Sequence, residues 1–204
     1  MISIVDYGLG NILAFANVYK RLNIPVAIAR TADQLRAASR LIVPGVGAFD
    51  HAMQQLNASG MREALDERVL RDKVPVLGVC VGMQMLAEAS DEGNERGLGW
   101  IPGRVRGFRS LSLARPLPMP HMGWNDVVPH ANAMLFDALH DDARFYFLHS
   151  FFFECANDAH TAATTSYGIE FSCAVSAGNV HGVQFHPEKS HHFGSQLLKN
   201  FAEA

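Results

Sequence analysis

Cysteine is scarce in this chain. The sequence holds three cysteines, Cys80, Cys155 and Cys173, an odd number at wide spacing. Small domains held together by disulfides carry an even set of closely spaced cysteines, so this pattern argues against a disulfide framework. It indicates a chain that works in a reducing compartment, and we expect the cytoplasm.

Long apolar runs and basic clusters are also lacking. No apolar run reaches the roughly 18 residues expected of a membrane span. Residues 1–6 (MISIVD) carry an early acid and no basic stretch, which predicts a first strand and not a secretory signal. The 17 Lys and Arg are dispersed and the net charge is −3, so neither nucleic acid nor an anionic membrane is an expected partner.

What the chain does contain is the composition of a globular protein. Hydrophobic residues make up 49% and charged residues 18% of 204 positions, enough for one large core. No repeat, low-complexity tract or linker divides it. We therefore expect a single domain over residues 1–204.

Strand and helix patterns alternate along the first half. A helix from residue 12, with Asn11 as its cap, follows the first strand, and another is predicted over 81–89 after an apolar strand. This alternation predicts an α/β fold with a mostly parallel central sheet flanked by helices. Strands are expected at 2–5, 25–29, 41–43 and 76–79.

The second half has more β character. Residues 115–120 are too rich in proline for regular structure, and Gly178 with Asn179 is a hairpin signal. We expect additional β structure at 145–153, 162–167, 172–176 and 180–185, then a helix over 194–202. His51, His130, His140 and His160 are expected at the surface.

Cys80 lies between an apolar strand and a helical pattern, with Gly78 and Gly82 beside it. Most cysteines in apolar strands are small core residues, and Cys80 alone would be one of them. However, a strand-to-helix turn flanked by glycines is also how a chain exposes a nucleophile. A base and an orienting acid elsewhere would decide between the two.

His186 and Glu188 are candidates for that base and acid. They follow a predicted strand, Pro187 separates them, and in an extended segment their side chains would point the same way. A lone histidine is more often structural, but Cys, His and acid together form a nucleophile with its base. His191 and His192 lack the further ligands of a metal site, so we expect no metal and no cofactor.

Residues 44–47 (PGVG) follow a strand that would neighbour the Cys80 strand. Two glycines would let this loop present backbone N–H groups to an anion. The alternative is an ordinary turn. Beside a nucleophile, an oxyanion hole is the better interpretation, and strand ends of this kind are where sites in parallel sheets lie.

Together these segments resemble the class I glutamine amidotransferases. Residues 77–84 (LGVCVGMQ) are similar to that family's nucleophile turn, and 185–188 (FHPE) to its segment with the base and acid. A narrower resemblance is to the glutaminase subunits of imidazole glycerol phosphate synthase, in histidine biosynthesis. It is carried by 6–11 (DYGLGN), 44–49 (PGVGAF), 120–125 (PHMGWN), 146–151 (YFLHSF) and 186–190 (HPEKS).

The resemblance implies a role for each matching residue. Cys80 would attack the glutamine amide, His186 would move protons, and Glu188 would orient His186. Backbone N–H groups at Val46, Gly47 and Val81 would hold the oxyanion, with a peptide flip at Val46 accounting for low activity without a partner. Gly45, Gln84, Ser150 and Phe151 would bind glutamine.

A partner is also implied. Ammonia would pass to a (β/α)8 cyclase subunit, which makes imidazole glycerol phosphate and an aminoimidazole carboxamide ribotide. The two subunits would form a heterodimer. Asn11, Trp124, Tyr146 and Lys189 match positions expected near their interface.

Three other functions stay open. Residues 190–194 (SHHFG) resemble a branch of the subunit family that supplies surface-polysaccharide sugar amidotransferases. A stand-alone cysteine hydrolase of γ-glutamyl peptides would use the same residues. A non-enzymatic scaffold is disfavoured because Cys80, His186 and Glu188 are all present.

Overall fold

The computed structural model describes residues 1–111, 117–131, 133–139 and 143–204. The helices are α1 (Ile12–Arg21), α2 (Ala32–Arg36), α3 (Phe49–Ala58), α4 (Arg62–Asp66), α5 (Val81–Gln84) and α6 (His191–Glu203). The strands are β1 (Ile2–Val5), β2 (Val26–Ala29), β3 (Arg40–Gly45), β4 (Val76–Cys80), β5 (Ala89–Ser90), β6 (Gly103–Gly107), β7 (His121–Asp126), β8 (Val128–Pro129), β9 (Arg144–His149), β10 (Phe151–Cys155), β11 (Thr161–Tyr167), β12 (Ile169–Ala177) and β13 (Val180–Val183).

The central sheet has the strand order β2-β1-β3-β4-β13-β12-β10-β6-β5, with β11 and β8 joined beside β12. The strands from β2 to β13 are parallel, and the sheet continues with antiparallel pairs from β13 to β6. The expected mostly parallel sheet with extra β structure in the second half is confirmed. A separate two-stranded sheet pairs β7 with β9.

The central position of β3 and β4 in the parallel sheet accounts for their apolar sequences. All of β4, and β3 after its first residue, are buried, as central strands covered on both faces must be. Their register places Gly45 directly opposite Cys80. The loop after β3 and the turn after β4 therefore lie side by side at the carboxyl edge of the sheet.

Two predicted segments differ in extent. The helix expected over 81–89 ends at Gln84, because the carbonyls of residues 85–88 accept hydrogen bonds from the N–H groups of residues 97, 98, 99 and 101 instead of continuing the helix. The β segment expected over 145–153 is two strands in different sheets, separated by Ser150.

Other expectations hold within their limits. The hairpin turn at Gly178 is confirmed, and α6 begins three residues before the predicted start. Residues 115 and 116 lie outside the described ranges, while 117–120 contain no helix or strand. His51 and His130 are exposed, His160 is half-buried and His140 lies outside the described ranges. Within those ranges, no helix has both the length and the apolar character needed to cross a membrane.

Candidate active site

Cys80 occupies the sharp turn between β4 and α5. Its φ of 55° and ψ of −115° are rare for a residue with a side chain, and such strain is found where a fold holds a residue in place. The turn depends on glycine. A Cβ on Gly82 would lie 1.9 Å from the Val43 carbonyl oxygen, and one on Gly78 would lie 2.5 Å from the Gly82 oxygen.

His186 is attached to Glu188 and to the second sheet. Its Nδ1 lies 2.9 Å from Glu188 Oε1, and its backbone N–H donates to the Tyr146 carbonyl at 2.8 Å. Ser190 Oγ donates to the His186 carbonyl and accepts from the Tyr146 N–H. These bonds fix the imidazole relative to β9.

The backbone that brings Glu188 to His186 differs from the prediction. His186 is extended, but Pro187–Lys189 form one 3-10 turn. The expectation of a fully extended segment is wrong, because Pro187 has no N–H and its fixed φ favours a helical start. The side chains still meet, by way of the turn.

Asn11 has a contact that was not predicted. Its Nδ2 donates to Glu188 Oε1 at 3.0 Å. Asn11 occupies the N-cap position of α1, but its side chain makes no capping hydrogen bond, so that part of the prediction is wrong. Glu188 is almost fully buried and its Oε2 has no hydrogen-bond partner. Asn11 therefore supplies one of the two bonds to this buried carboxylate.

The protonation of the pair follows from these contacts. Burial by itself would lower the pKa of His186. The hydrogen bonds to Cys80 and Glu188, together with the charges of these two partners, outweigh burial and raise the pKa of His186 to about 9. Burial likewise opposes a charged Glu188, yet the hydrogen bond and charge of His186, with the bond from Asn11, lower the pKa of its carboxyl. An imidazolium beside a carboxylate is the favoured neutral-pH state.

The Cys80 sulfur opens on a cavity of about 290 Å³. Most of the predicted site residues line it: Val46, Gly47, Cys80, Val81, Gln84, Ser150, Phe151 and His186. Gly45 does not. A Cβ on Gly45 would lie 2.4 Å from the Gly82 N, so Gly45 instead allows the end of β3 to approach the Cys80 turn.

Glu92 is a lining residue that sequence reasoning missed. Its Oε2 accepts a 2.8 Å hydrogen bond from the Phe49 N–H. Burial raises the pKa of the Glu92 carboxyl, and the nearby negative charge of Asp50 raises it further. The hydrogen bond from Phe49 lowers the pKa but does not cancel these two effects. Glu92 belongs to a polar loop without a motif, and no signal in the sequence could have placed it here.

A buried histidine pair supports the far wall of the cavity. His149 Nδ1 lies 2.7 Å from the Phe151 carbonyl, which only accepts, so Nδ1 carries the proton. His149 Nε2 then accepts from His121 Nδ1 at 2.9 Å, and His121 Nε2 faces the Asn125 amide. Burial lowers the pKa of His121 to about 4 and that of His149 to about 3. Both rings are neutral and hold residues 149–151 in place.

The predicted interface residues Trp124, Tyr146 and Lys189 lie close together beside this site. Trp124 is 40% exposed and stacks on His191 at 5.3 Å between ring centroids. Tyr146 lies opposite Trp124 in the β7–β9 pair. The Lys189 ammonium is 5.9 Å from the centre of the Tyr146 ring, and Lys189 also lines the cavity.

Comparison with known proteins places this geometry in a family. A family model described as Glutamine amidotransferase class-I matches residues 3–204. The imidazole glycerol phosphate synthase subunit HisH of Bdellovibrio bacteriovorus is 66% identical over 203 residues, covering 100% of each chain. HisH of Leptospira interrogans is 49% identical over 202 residues, covering 99% of each.

A solved glutamine amidotransferase structure superposes with a TM-score of 0.76 over 99% of this chain and 97% of its own. At 20% identity it shows the fold alone. The resemblance of the sequence motifs is confirmed by the full-length relatives. This chain belongs to the class I glutamine amidotransferase family and, within it, to the HisH subunits of imidazole glycerol phosphate synthase.

Proposed function

We propose that this chain hydrolyses L-glutamine to L-glutamate and ammonia through a thioester on Cys80, and that a cyclase subunit consumes the ammonia. The observation that carries the proposal is the placement of His186. It is bonded through Nδ1 to a buried carboxylate and faces Cys80 at the wall of the cavity. That arrangement matches the roles of nucleophile, base and orienting acid.

The first half of the reaction forms the thioester. The Cys80 thiolate attacks the side-chain amide carbon of glutamine, and a carbon–sulfur bond forms. As the carbon–nitrogen bond breaks, the His186 imidazolium gives its Nε2 proton to the leaving nitrogen, which departs as ammonia. Glu188 keeps Nδ1 protonated and thus leaves Nε2 for this transfer.

The second half releases glutamate. Neutral His186 takes a proton from water, and the resulting hydroxide adds to the thioester carbon. The carbon–sulfur bond then breaks, which returns the sulfur as thiolate and leaves His186 as imidazolium, and the new γ-carboxylic acid loses its proton to solvent to give glutamate. Each atom of water ends in the products, on His186 or in solvent, so the cycle closes with the site in its starting state.

The oxyanion would be held by backbone N–H groups at Val46, Gly47 and Val81. Two features support this assignment. Val81 is the first residue of α5, where N–H groups have no helical partner. Gly47 has a φ of +87° with open space around it, which leaves the Val46 peptide free to turn toward the sulfur.

Glutamine itself would lie between the Cys80 turn and residues 149–151. Gln84, Ser150 and Phe151 line that space and would contact the substrate. Glu92 is a carboxylate that also lines the cavity, and we assign it to the substrate α-ammonium group on grounds of charge. Gly45 would contribute indirectly, by allowing the end of β3 to pack closely against the Cys80 turn.

The proposed partner is a (β/α)8 cyclase subunit in a heterodimer. Exposed apolar side chains support a docking face on the β7–β9 pair, where Met122 and Trp124 lie opposite Leu148 and Tyr146. Leu148 also lines the cavity, so this face adjoins the place where ammonia forms. Asn11 and Lys189 would complete the interface. We also propose that residues 1–204 act as one domain, supported by a continuous core among the described residues, and that the chain works in the cytoplasm.

A binding measurement tests the docking face. Trp124→Ala removes an exposed aromatic ring of the kind that anchors interfaces, and we expect it to raise the Kd for the cyclase about tenfold. Leu70→Ala removes another exposed apolar side chain outside this face and serves as control. Equal affinities for the two variants would contradict the proposed face.

A glutaminase assay tests the chemistry. Glutamate release is measured for the chain with and without the cyclase subunit and its nucleotide substrate. We expect Cys80→Ala to lower kcat by at least about 10³-fold, since the nucleophile is removed, while Cys155→Ala retains activity. Activity that survives in Cys80→Ala would refute the thioester. Full activity on γ-glutamyl peptides without any partner would favour a stand-alone hydrolase instead.

A further inference from the structure

Gln184 is a buried amide directly behind the nucleophile. It follows β13, its side chain has no exposed surface, and its backbone N–H donates to the Cys173 carbonyl. Its side-chain Nε2 lies 3.8 Å from Cys80 Sγ. A buried amide is costly unless its polar atoms are bonded, so each of its contacts needs an explanation.

The orientation of this amide is determined by its neighbours. The Phe151 carbonyl can only accept, so the Gln84 group that lies 3.2 Å from it must be the NH₂. The same Gln84 Nε2 lies 3.0 Å from Gln184, which must therefore present its Oε1 there. The remaining end of the Gln184 amide is its N–H donor, and that end faces the sulfur.

The other groups around the Cys80 sulfur differ in whether they favour or oppose its thiolate form. The Leu148 carbonyl oxygen, 3.9 Å away, accepts from a thiol and repels a thiolate. The His186 imidazolium contacts Cys80 and favours the thiolate, and the uncharged Tyr7 phenol is also near. The Gln184 N–H is a neutral donor that opposes the effect of the Leu148 carbonyl.

We propose that Gln184 is a further catalytic residue, whose side-chain N–H donates to Cys80 Sγ and stabilises the thiolate. The inference rests on the proposed role of Cys80 as nucleophile. Gln84 lies between the cavity and Gln184, so it both lines the glutamine site and sets the orientation of the group that contacts the sulfur.

The test measures the thiolate directly. Alkylation of Cys80 by iodoacetamide is followed from about pH 5 to pH 10 by mass spectrometry of the Cys80 peptide, because only the thiolate reacts. Gln184→Met keeps length and volume but removes the donor. We expect its alkylation rate at pH 7 to fall about fivefold and its midpoint to move to higher pH, as loss of a hydrogen bond to a charged group would cause.

Ser176→Ala is the matched control. Ser176 lies on the neighbouring strand β12, and its loss deletes a side-chain hydrogen bond to His181 of β13, which should leave the alkylation profile of Cys80 unchanged. A folded Gln184→Met with the wild-type profile would overturn the proposal.

A second measurement needs no substitution at Gln184. The side-chain amide resonances of Gln184, observed by NMR in the wild-type chain, should shift with the same pH midpoint as Cys80 alkylation and should not do so in Cys80→Ala. Resonances that ignore the Cys80 titration would overturn the proposal even if Gln184→Met did not fold. Neither measurement uses glutamine or a partner, so their outcome is separate from that of the glutaminase assay.

Discussion

At the scale of the residue, the site depends on how a buried carboxylate is kept charged. Glu188 has one oxygen bonded to both His186 and Asn11 and another with no partner. Carboxylates in such surroundings stay ionised only while their few donors remain. The orientation of His186, and with it the proposed proton transfer, therefore depends on Asn11, which is 177 positions away from Glu188 in the sequence.

Asn11→Ala should expose this dependence. It removes one of two donors to Glu188, so we expect kcat for glutamine hydrolysis to fall about tenfold and the free energy of unfolding to fall by about 1.5 kcal/mol. The loss should appear with and without the cyclase subunit, because the contact lies within this chain. Steady-state kinetics and urea unfolding measure the two effects.

Asn57→Ala is the control for that substitution. Asn57 makes an exposed side-chain hydrogen bond to Arg62, and its removal should leave kcat unchanged. If Asn11→Ala altered only the affinity for the cyclase and not the basal rate, the contact with Glu188 would have no catalytic part.

At the scale of the element, the turn from β4 to α5 is where prediction from sequence worked best. The glycines beside Cys80 indicated a close approach, and the structure shows it, with β3 packed against the helix start. The length of α5 could not be predicted. The apolar pattern of the sequence continues past Gln84. The helix ends there because the carbonyls of residues 85–88 accept hydrogen bonds from backbone N–H groups in the segment 97–101.

Prediction was weaker for contacts made by single polar side chains. His186 and Glu188 belong to a recognisable sequence motif, and the contact predicted between them is present in the structure. Asn11 carried a helix-cap signal that its contact with Glu188 overrides, and Glu92 and Gln184 carried none. A polar residue in a loop or after a strand has no periodicity, so its partner is decided by tertiary structure alone.

Two glycine substitutions test the close packing at this turn. In Gly82→Ala the new Cβ would meet the Val43 backbone at 1.9 Å, which neither partner can relieve, so we expect a loss of more than about 4 kcal/mol of unfolding free energy. In Gly47→Ala the space is open and only the φ of +87° is unfavourable, which costs about 1–2 kcal/mol. Urea unfolding compares them, and equal losses would contradict the packing argument.

At the scale of the whole molecule, the site draws on nearly the full length of the chain. The loop before α1, the ends of β3 and β4, the β9–β10 junction and the turn after β13 all contribute. The proposed catalytic arrangement therefore forms only when the entire sheet has assembled. Conditions that weaken the global fold should also abolish the site.

Acid is such a condition. Burial lowers the pKa of His121, His149 and His181 to about 4, 3 and 4 in the folded chain. At these three sites the unfolded chain binds protons below about pH 6.5 that the folded chain does not, so their contribution to stability is full above that pH and is lost as the pH falls. His186, whose pKa is raised to about 9, acts in the opposite direction and offsets about one of the three contributions. We expect a loss of up to about 1.4 kcal/mol per pH unit for each histidine.

Urea unfolding between about pH 7.5 and pH 5.5 measures this slope. His181→Gln should remove one of the three contributions, whereas His51→Gln changes an exposed histidine and should leave the slope as it is. A midpoint that does not move with pH would mean that these histidines are not held neutral in the folded chain.

The central claim is that Cys80 carries the glutamyl group during turnover, and trapping that group tests it most directly. The complex with the cyclase subunit is mixed with glutamine, quenched in acid within the first turnover, digested and examined by mass spectrometry. We predict a γ-glutamyl thioester on the Cys80 peptide of the wild-type chain and none in Cys80→Ala, which should also release no glutamate. A glutamyl group on another residue, or glutamate release by Cys80→Ala at the wild-type rate, would contradict the account.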